Sequence, residues 1–247
     1  MSANLPNASG IVSRFALRPS TAIAIAVLAV LSLMPLVSEG YALSNYRDVM
    51  LLALFALSLD IFWGRTGILS FGHAAFFGLG AYGMAIVSTR FGFDPVIASP
   101  LGLAAGIAVP ALVALMVGYF ILYGGVRGAH FTIVTLALTL IANQIAVGWS
   151  SVTGGDSGLI GVPPLTFGGF SFSSVLSSYY LAFFLLAVSL LVSLRLMHGR
   201  LVSLLTAIQD NETKLRTLGF RTQFILLMTF VASAAMAGLA GAVYASN

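Results

Sequence analysis

Few side chains in this sequence could do chemistry, and their spacing rules out most of what they could do. Ser70 and His73 stand three residues apart in Gly67-Ile-Leu-Ser-Phe-Gly-His73. A nucleophile and its base must converge with water at hand. Two residues on one broken turn do not, so an intramembrane serine protease is set aside. A helix-end histidine held by its neighbours accounts for His73 more simply than a ligand does. His130 and His198 lie on other stretches with no acid nearby, and the chain has no cysteine, so no metal site is read. No Gly-x4-Gly-Lys-(Ser/Thr) stretch is present, so the chain carries no ATP site of its own. No catalytic residue emerges, and the chain does not read as an enzyme.

Asp60 lies inside an apolar run. An unpaired acid in a membrane span costs about 2.5–3.5 kcal/mol, so a partner is expected, and Arg65 is the nearest candidate. Asn143 and Gln144 are polar residues within another apolar run. They are expected to hydrogen-bond across helices, with a lining role as the alternative. Asp60, Gly67, Ser70, Gly72, His73, Asn143 and Gln144 together form the candidate set for a pathway or a helix break.

The densest charge lies in residues 198–222. Leu201, Leu204, Leu205 and Ile208 stand at helical spacing. Asp210 or Asn211 suits the N-cap of a second short helix, which puts Glu212 in a first turn where the helix dipole favours an acid. Leu215 and Leu218 give this helix an apolar side, and Gly219 is a natural residue just past its end. The pattern predicts two short surface helices. They either rest on lipid or form a docking surface for a partner.

The elements that must hold these residues are membrane spans. Charged residues make up 7% of the chain, against about 25% in soluble domains. Hydrophobic residues make up 59%, and the mean hydropathy is +1.04. That leaves too little polar surface to face water. In lipid only helices and closed barrels pair every backbone group, and the long unbroken apolar runs exclude the alternation of barrel strands. A span needs about 20 apolar residues. Seven segments are expected: Thr21–Ser38, Val49–Trp63, Phe71–Thr89, Val96–Tyr123, Phe131–Trp149, Tyr179–Leu196 and Gln223–Ala245. The first reads as a span rather than a cleaved signal. The second is short and runs into Gly64-Arg-Thr-Gly67, where two glycines break the helix. Pro110 predicts a kink or tilt in the fourth.

Lys and Arg favour cytoplasmic loops. With the N-terminus inside, Arg14, Arg18, Arg65, Arg127, Arg195, Arg200, Lys214, Arg216 and Arg221 fall inside, and only Arg47 and Arg90 fall outside. The fold expected is therefore an all-α polytopic bundle of about seven spans, read as a single domain over residues 1–247. Residues 1–20 are its cytoplasmic N-terminal segment, 198–222 a cytoplasmic loop, and 150–178 an outer loop. Asn247 then faces outward. Gly102 and Gly106, the Ala234–Gly238–Ala242 ladder, and Gly72, Gly78, Gly80 and Gly83 suit close helix packing, with a substrate path as the alternative.

Four stretches resemble one family. Thr206-Ala-Ile-Gln-Asp-Asn-Glu212 followed by Leu218-Gly219 is similar to the cytoplasmic coupling loop of the branched-chain amino acid ABC transporter permeases. Gly67-Ile-Leu-Ser-Phe-Gly-His73 resembles the family's Gly-x-Leu-Ser-(Leu/Phe)-Gly-His signature. Arg127-Gly-Ala-His-Phe-Thr-Ile-Val-Thr-Leu-Ala137 and Thr153-Gly-Gly-Asp-Ser-Gly-Leu159 resemble two more of its motifs. With Ala234–Tyr244 the likeness covers nearly all of residues 47–247 and points to the LivM-type subunit. Asp60 stands where many such permeases have Asn, and His130 where Tyr is usual. The chain stops at Asn247 where family members continue, so a C-terminally shortened permease or a fragment is expected.

The resemblance implies the permease subunit of an ATP-driven importer in the bacterial inner membrane. Its cargo would be branched-chain or other small amino acids. Its partners would be a second, LivH-like permease subunit, cytoplasmic ATPase subunits that carry the ATP-Mg, and a periplasmic substrate-binding protein. No cofactor is implied in this chain, and nucleic acid is no partner. Leu204, Ala207, Ile208, Asp210, Asn211, Glu212, Leu218 and Gly219 would couple to the ATPase. Thr153, Gly154, Gly155, Asp156 and Gly158 would face the binding protein. Two alternatives stand: a urea or short-amide permease, which Leu59-Asp-Ile-Phe-Trp-Gly64 also resembles, and a truncated membrane protein that does not transport.

Overall fold

Each apolar run of the sequence folds as one helix, because a backbone clothed in such side chains pairs its N–H and C=O groups within itself. The computed structural model describes residues 19–38, 40–126, 128–196 and 199–247. Arg14, Arg18, Arg127 and His198, and most of the 1–20 segment, lie outside the described residues.

The chain divides into two units, Met1–Glu39 and Gly40–Asn247. The first contains α1 (Pro19–Leu33), followed by a 3-10 turn over Met34–Leu36. The second contains α2 (Tyr41–Thr66), α3 (His73–Arg90), α4 (Pro95–Tyr123), α5 (Ala129–Gly148), the short α6 (Ser150–Thr153), α7 (Val175–Leu196), α8 (Arg200–Thr217) and α9 (Thr222–Ala245). A hairpin of β1 (Thr166–Phe167) and β2 (Phe170–Ser171) joins α6 to α7. The chain is an all-α membrane bundle.

All seven expected spans are helical. Among the described residues, α2, α4, α5, α7 and α9 are long and apolar enough to cross a membrane. The 15-residue α1 is shorter, and the 18-residue α3 carries His73 and Arg90 at its ends. The second span is not short. α2 takes in the polar start of the segment, where Arg47 and Asp48 pair at 2.9 Å. It also continues through Gly64 and stops only at Gly67, whose left-handed φ of 69° ends the helix.

α9 is the axis of the second unit and packs against α4, α3 and α2, while α7 lies on α2. Small residues make this seam. A Cβ on Gly80 would run into the backbone of Gly238, and one on Gly241 into the Phe77 carbonyl. Gly106 abuts Ala242, and Gly238 lies against the ring of Pro110. Close backbone approach is thus what most of these glycines serve. Gly78 differs, because the space around it is open.

Candidate functional site

Residues 67–72 leave helical geometry between α2 and α3. Irregular backbone at membrane depth must be paired by protein or water, and here α5 supplies the pairing. Thr132, Thr135 and Thr139 stand at intervals of three and four, so they share one helix face. The Thr132 hydroxyl donates to the Leu69 carbonyl at 2.9 Å. The Phe71 N–H donates to Thr135 Oγ1 at 3.2 Å. Thr139 Oγ1 donates to the Phe71 carbonyl at 2.7 Å. At the start of the break, Thr66 Oγ1 donates to the Phe62 carbonyl and accepts from the Ile68 N–H.

His73 opens α3 and is buried. Its Nε2 meets Ser233 Oγ of α9 at 2.5 Å, and Ser233 donates to the Ser58 carbonyl of α2 at 2.8 Å. A hydroxyl carries one hydrogen. With that hydrogen on Ser58, His73 is the donor at Nε2. His73 therefore ties three helices together. Nδ1 and the hydroxyl of Ser70 are both buried without a protein partner.

Around His73, rings from four elements interlock. Phe230 lies 5.0 Å from Phe62, 5.4 Å from Phe76 and 5.5 Å from Phe131, centroid to centroid. Leu205, Ile208 and Leu215 of α8 join this same core. These three residues of α8 are thus buried in protein, while Leu201 and Leu218 of its apolar side stay exposed. Gln209 of α8 also covers the break itself, because a Cβ on Gly67 would come within 2.9 Å of its Nε2.

α8 is two helices joined at Asn211, whose φ of −160° and ψ of 91° are not helical. Asn211 Oδ1 accepts from the Lys214 N–H at 2.9 Å, which is an N-cap. The second helix ends in a Schellman motif. The Gly219 N–H reaches the Arg216 carbonyl and the Phe220 N–H the Leu215 carbonyl, with Gly219 at φ 88°. Glu212 accepts a 2.8 Å hydrogen bond from Thr222 at the start of α9. Ile208 is buried, and Leu204, Ala207 and Glu212 are half-buried. Asp210, Asn211, Leu218 and Gly219 face outward.

Between α3 and α5, just beyond the break, lies a cleft of about 230 Å³. Ala74, Gly78, Tyr82, Thr139 and Asn143 are among its walls. Asn143 is exposed on this cleft, and no hydrogen bond joins it or Gln144 to another helix among the described residues.

The loop between α5 and α7 is a built structure. Thr153 is buried, and its single hydroxyl hydrogen is shared between the carbonyls of Ala146 at 2.6 Å and Trp149 at 2.8 Å, while its oxygen accepts from the Gly155 N–H. Gly154 has φ 82°, and a Cβ there would strike the Gly158 carbonyl. Arg90 donates to the Ser151 carbonyl at 2.9 Å, and Ser99 Oγ accepts from the Thr166 N–H at 2.8 Å. These bonds hold the loop to α3 and α4. Asp156 is exposed.

A model of the family described as branched-chain amino acid transport system / permease component matches residues 41–247. The chain belongs to this family. It is 28% identical over 221 residues to the high-affinity branched-chain amino acid transport system permease protein LivM of Salmonella typhimurium, covering 80% of this chain and 51% of that one. It is 27% identical over 223 residues to LivM of Escherichia coli, with the same coverage. The chain therefore spans about half the length of the curated relatives it matches. No solved structure matches it.

In the structure of this permease-family chain Gly67, Ser70, Gly72 and His73 share the break, with Gly72 against Ser70 and Thr135, while Asn143 lies on the cleft between α3 and α5, whose walls include none of the four. It does not bring Asp60 to Arg65. No ion pair joins them, and the Asp60 carboxylate instead lies along α2 over Gly64, where the missing side chain leaves room. Two features escape a reading by motif alone. The threonine face of α5 is one, although its spacing is visible in the sequence. The hairpin is the other, although Gly168-Gly169 between two Phe is a two-residue turn signal.

Proposed function

We propose that this chain is the membrane-embedded permease subunit of an ATP-driven importer in the bacterial inner membrane, carrying branched-chain or other small amino acids. Family membership supports the permease role. The observation that carries the mechanism is the burial of Leu205, Ile208 and Leu215 of α8 in the same core as Phe62, Phe76, Phe131 and Phe230. A partner ATPase that holds ATP-Mg would grip the exposed residues of α8, with Asp210 and Leu218 foremost. Movement of α8 would pass through the ring cluster and through Gln209 on Gly67 to the break. The small-residue cleft beside Asn143 would open or close as the Thr132–Thr135–Thr139 face slides on residues 69–71. A second, LivH-like permease subunit would complete the path, and a periplasmic binding protein would deliver cargo to the loop around Asp156.

The test is reconstitution of the chain in liposomes with its partner permease and ATPase. Substrate-loaded binding protein is expected to stimulate ATP hydrolysis. Assembly without stimulation would favour a non-transporting protein, and stimulation by urea or a short amide in place of an amino acid would reassign the cargo. Glu212→Lys and Gly219→Pro are expected to abolish stimulation while leaving membrane insertion intact. Normal stimulation in both would overturn the docking role of α8.

A further inference from the structure

Where α2 ends and α8 and α9 begin, a cleft of about 340 Å³ opens whose wall shares Leu205 with the ring cluster. Ile61 and Arg65 of α2, Leu201 and Leu205 of α8, and Ile225 and Met228 of α9 are among its walls. It is apolar apart from Arg65, Ser193 and Thr229. At Leu201 it meets a second cavity lined by Arg195 and Arg200. Arg65 thus lines one cavity and Arg195 and Arg200 the adjoining one, and among the described residues no acid lines either. The nearest acid on α2, Asp60, lies over Gly64 and forms no ion pair with Arg65. Among the described residues, none of the three arginines has a carboxylate partner.

Arg65 is half-buried beside the apolar slot, and Arg195 and Arg200 are exposed on the adjoining cavity, so apolar surface and positive charge lie side by side. An amphiphile with an anionic head complements both parts of this site. The arginine fork matches phosphate geometry, and basic pockets between transmembrane helices hold anionic lipid head groups. We propose that this cleft binds an anionic phospholipid, with an acyl chain between α2, α8 and α9 and the phosphate on Arg65 and Arg200. Because α8 forms one wall, the bound lipid braces that helix against the bundle. The proposal requires only that the chain lies in a membrane, so it stands or falls apart from the transport reading.

The test is native mass spectrometry of the purified chain offered equal amounts of phosphatidylglycerol and phosphatidylcholine with the same acyl chains. Retention is expected to favour phosphatidylglycerol by roughly tenfold or more, the scale of two arginines near an anionic head. Arg65→Gln with Arg200→Gln removes the preference, and Arg65→Lys with Arg200→Lys retains it. Met228→Trp, which fills the slot, lowers retention of both lipids. Equal retention by the native chain overturns the proposal, and that arm needs no variant to fold. An unchanged preference in the double Gln variant also overturns it. A photo-crosslinker at position 228 in native membranes is expected to capture lipid. Capture of a second permease chain instead assigns the cleft to that subunit and overturns the lipid.

Discussion

At the scale of single residues, glycines in this chain divide into those whose missing side chain is occupied by a neighbour and those beside open space. A Cβ on Gly80 or Gly241 meets backbone, which cannot rotate away. Overpacking of this kind costs about 1–3 kcal/mol, so Gly80→Ala and Gly241→Ala should each lower the unfolding midpoint in detergent. Gly78→Ala meets nothing and should fall within about 0.5 kcal/mol of the native chain. Equal losses at Gly78 and Gly80 would contradict the seam. Ser233→Ala would strand the buried Nε2–H of His73, at about 1–3 kcal/mol by the same measurement. The N-cap at Asn211 and the left-handed Gly219 were legible in the sequence because a cap is a local event, decided by residues within one turn. The fate of Asp60 was not legible. Whether a carboxylate reaches Arg65 or lies along its own helix depends on the room left by Gly64 and on rotamers, and residue spacing carries neither.

At the scale of elements, the break between α2 and α3 depends on α5 for its hydrogen bonds. Most helix limits followed from hydropathy, though not the polar start of α2, and the pairing did not, because it joins residues more than sixty apart. Only the interval of three and four among Thr132, Thr135 and Thr139 hinted at a shared polar face. Thr135→Val with Thr139→Val keeps the shape and removes the donor to the Phe71 carbonyl and the acceptor for its N–H. Each stranded backbone group costs about 1–3 kcal/mol. Amides of residues 69–72 should then exchange hydrogen faster, while those of α9 stay protected. Uniform loss of protection across the bundle would mean the threonines hold the whole fold rather than the break. The same contrast explains α8. Its amphipathic spacing was visible, yet only packing shows that Leu205, Ile208 and Leu215 are buried in one core with phenylalanines of four other helices, while Leu201 and Leu218 stay exposed.

At the scale of the whole molecule, the second unit has two chemically different ends. At one end α8 carries Arg200, Lys214 and Arg216, and Arg65, Arg195 and Arg221 close the neighbouring helices. At the other end Arg90 is bonded to the loop at Ser151, and Arg47 is paired with Asp48. Cations are retained on the cytoplasmic side of a membrane, and here the excess lies wholly with α8. The bonds that fix the loop and hairpin to α3 and α4 place Ser171 at the end away from Thr213. Both residues are exposed, so each can report its side. A membrane-impermeant maleimide applied to intact cells should label Ser171→Cys and leave Thr213→Cys unlabelled until the membrane is opened. The reverse pattern would invert the orientation and remove α8 from any cytoplasmic ATPase. Labelling of both positions in intact cells would place both ends on one side, which a bundle whose α2, α4, α5, α7 and α9 cross the bilayer does not permit.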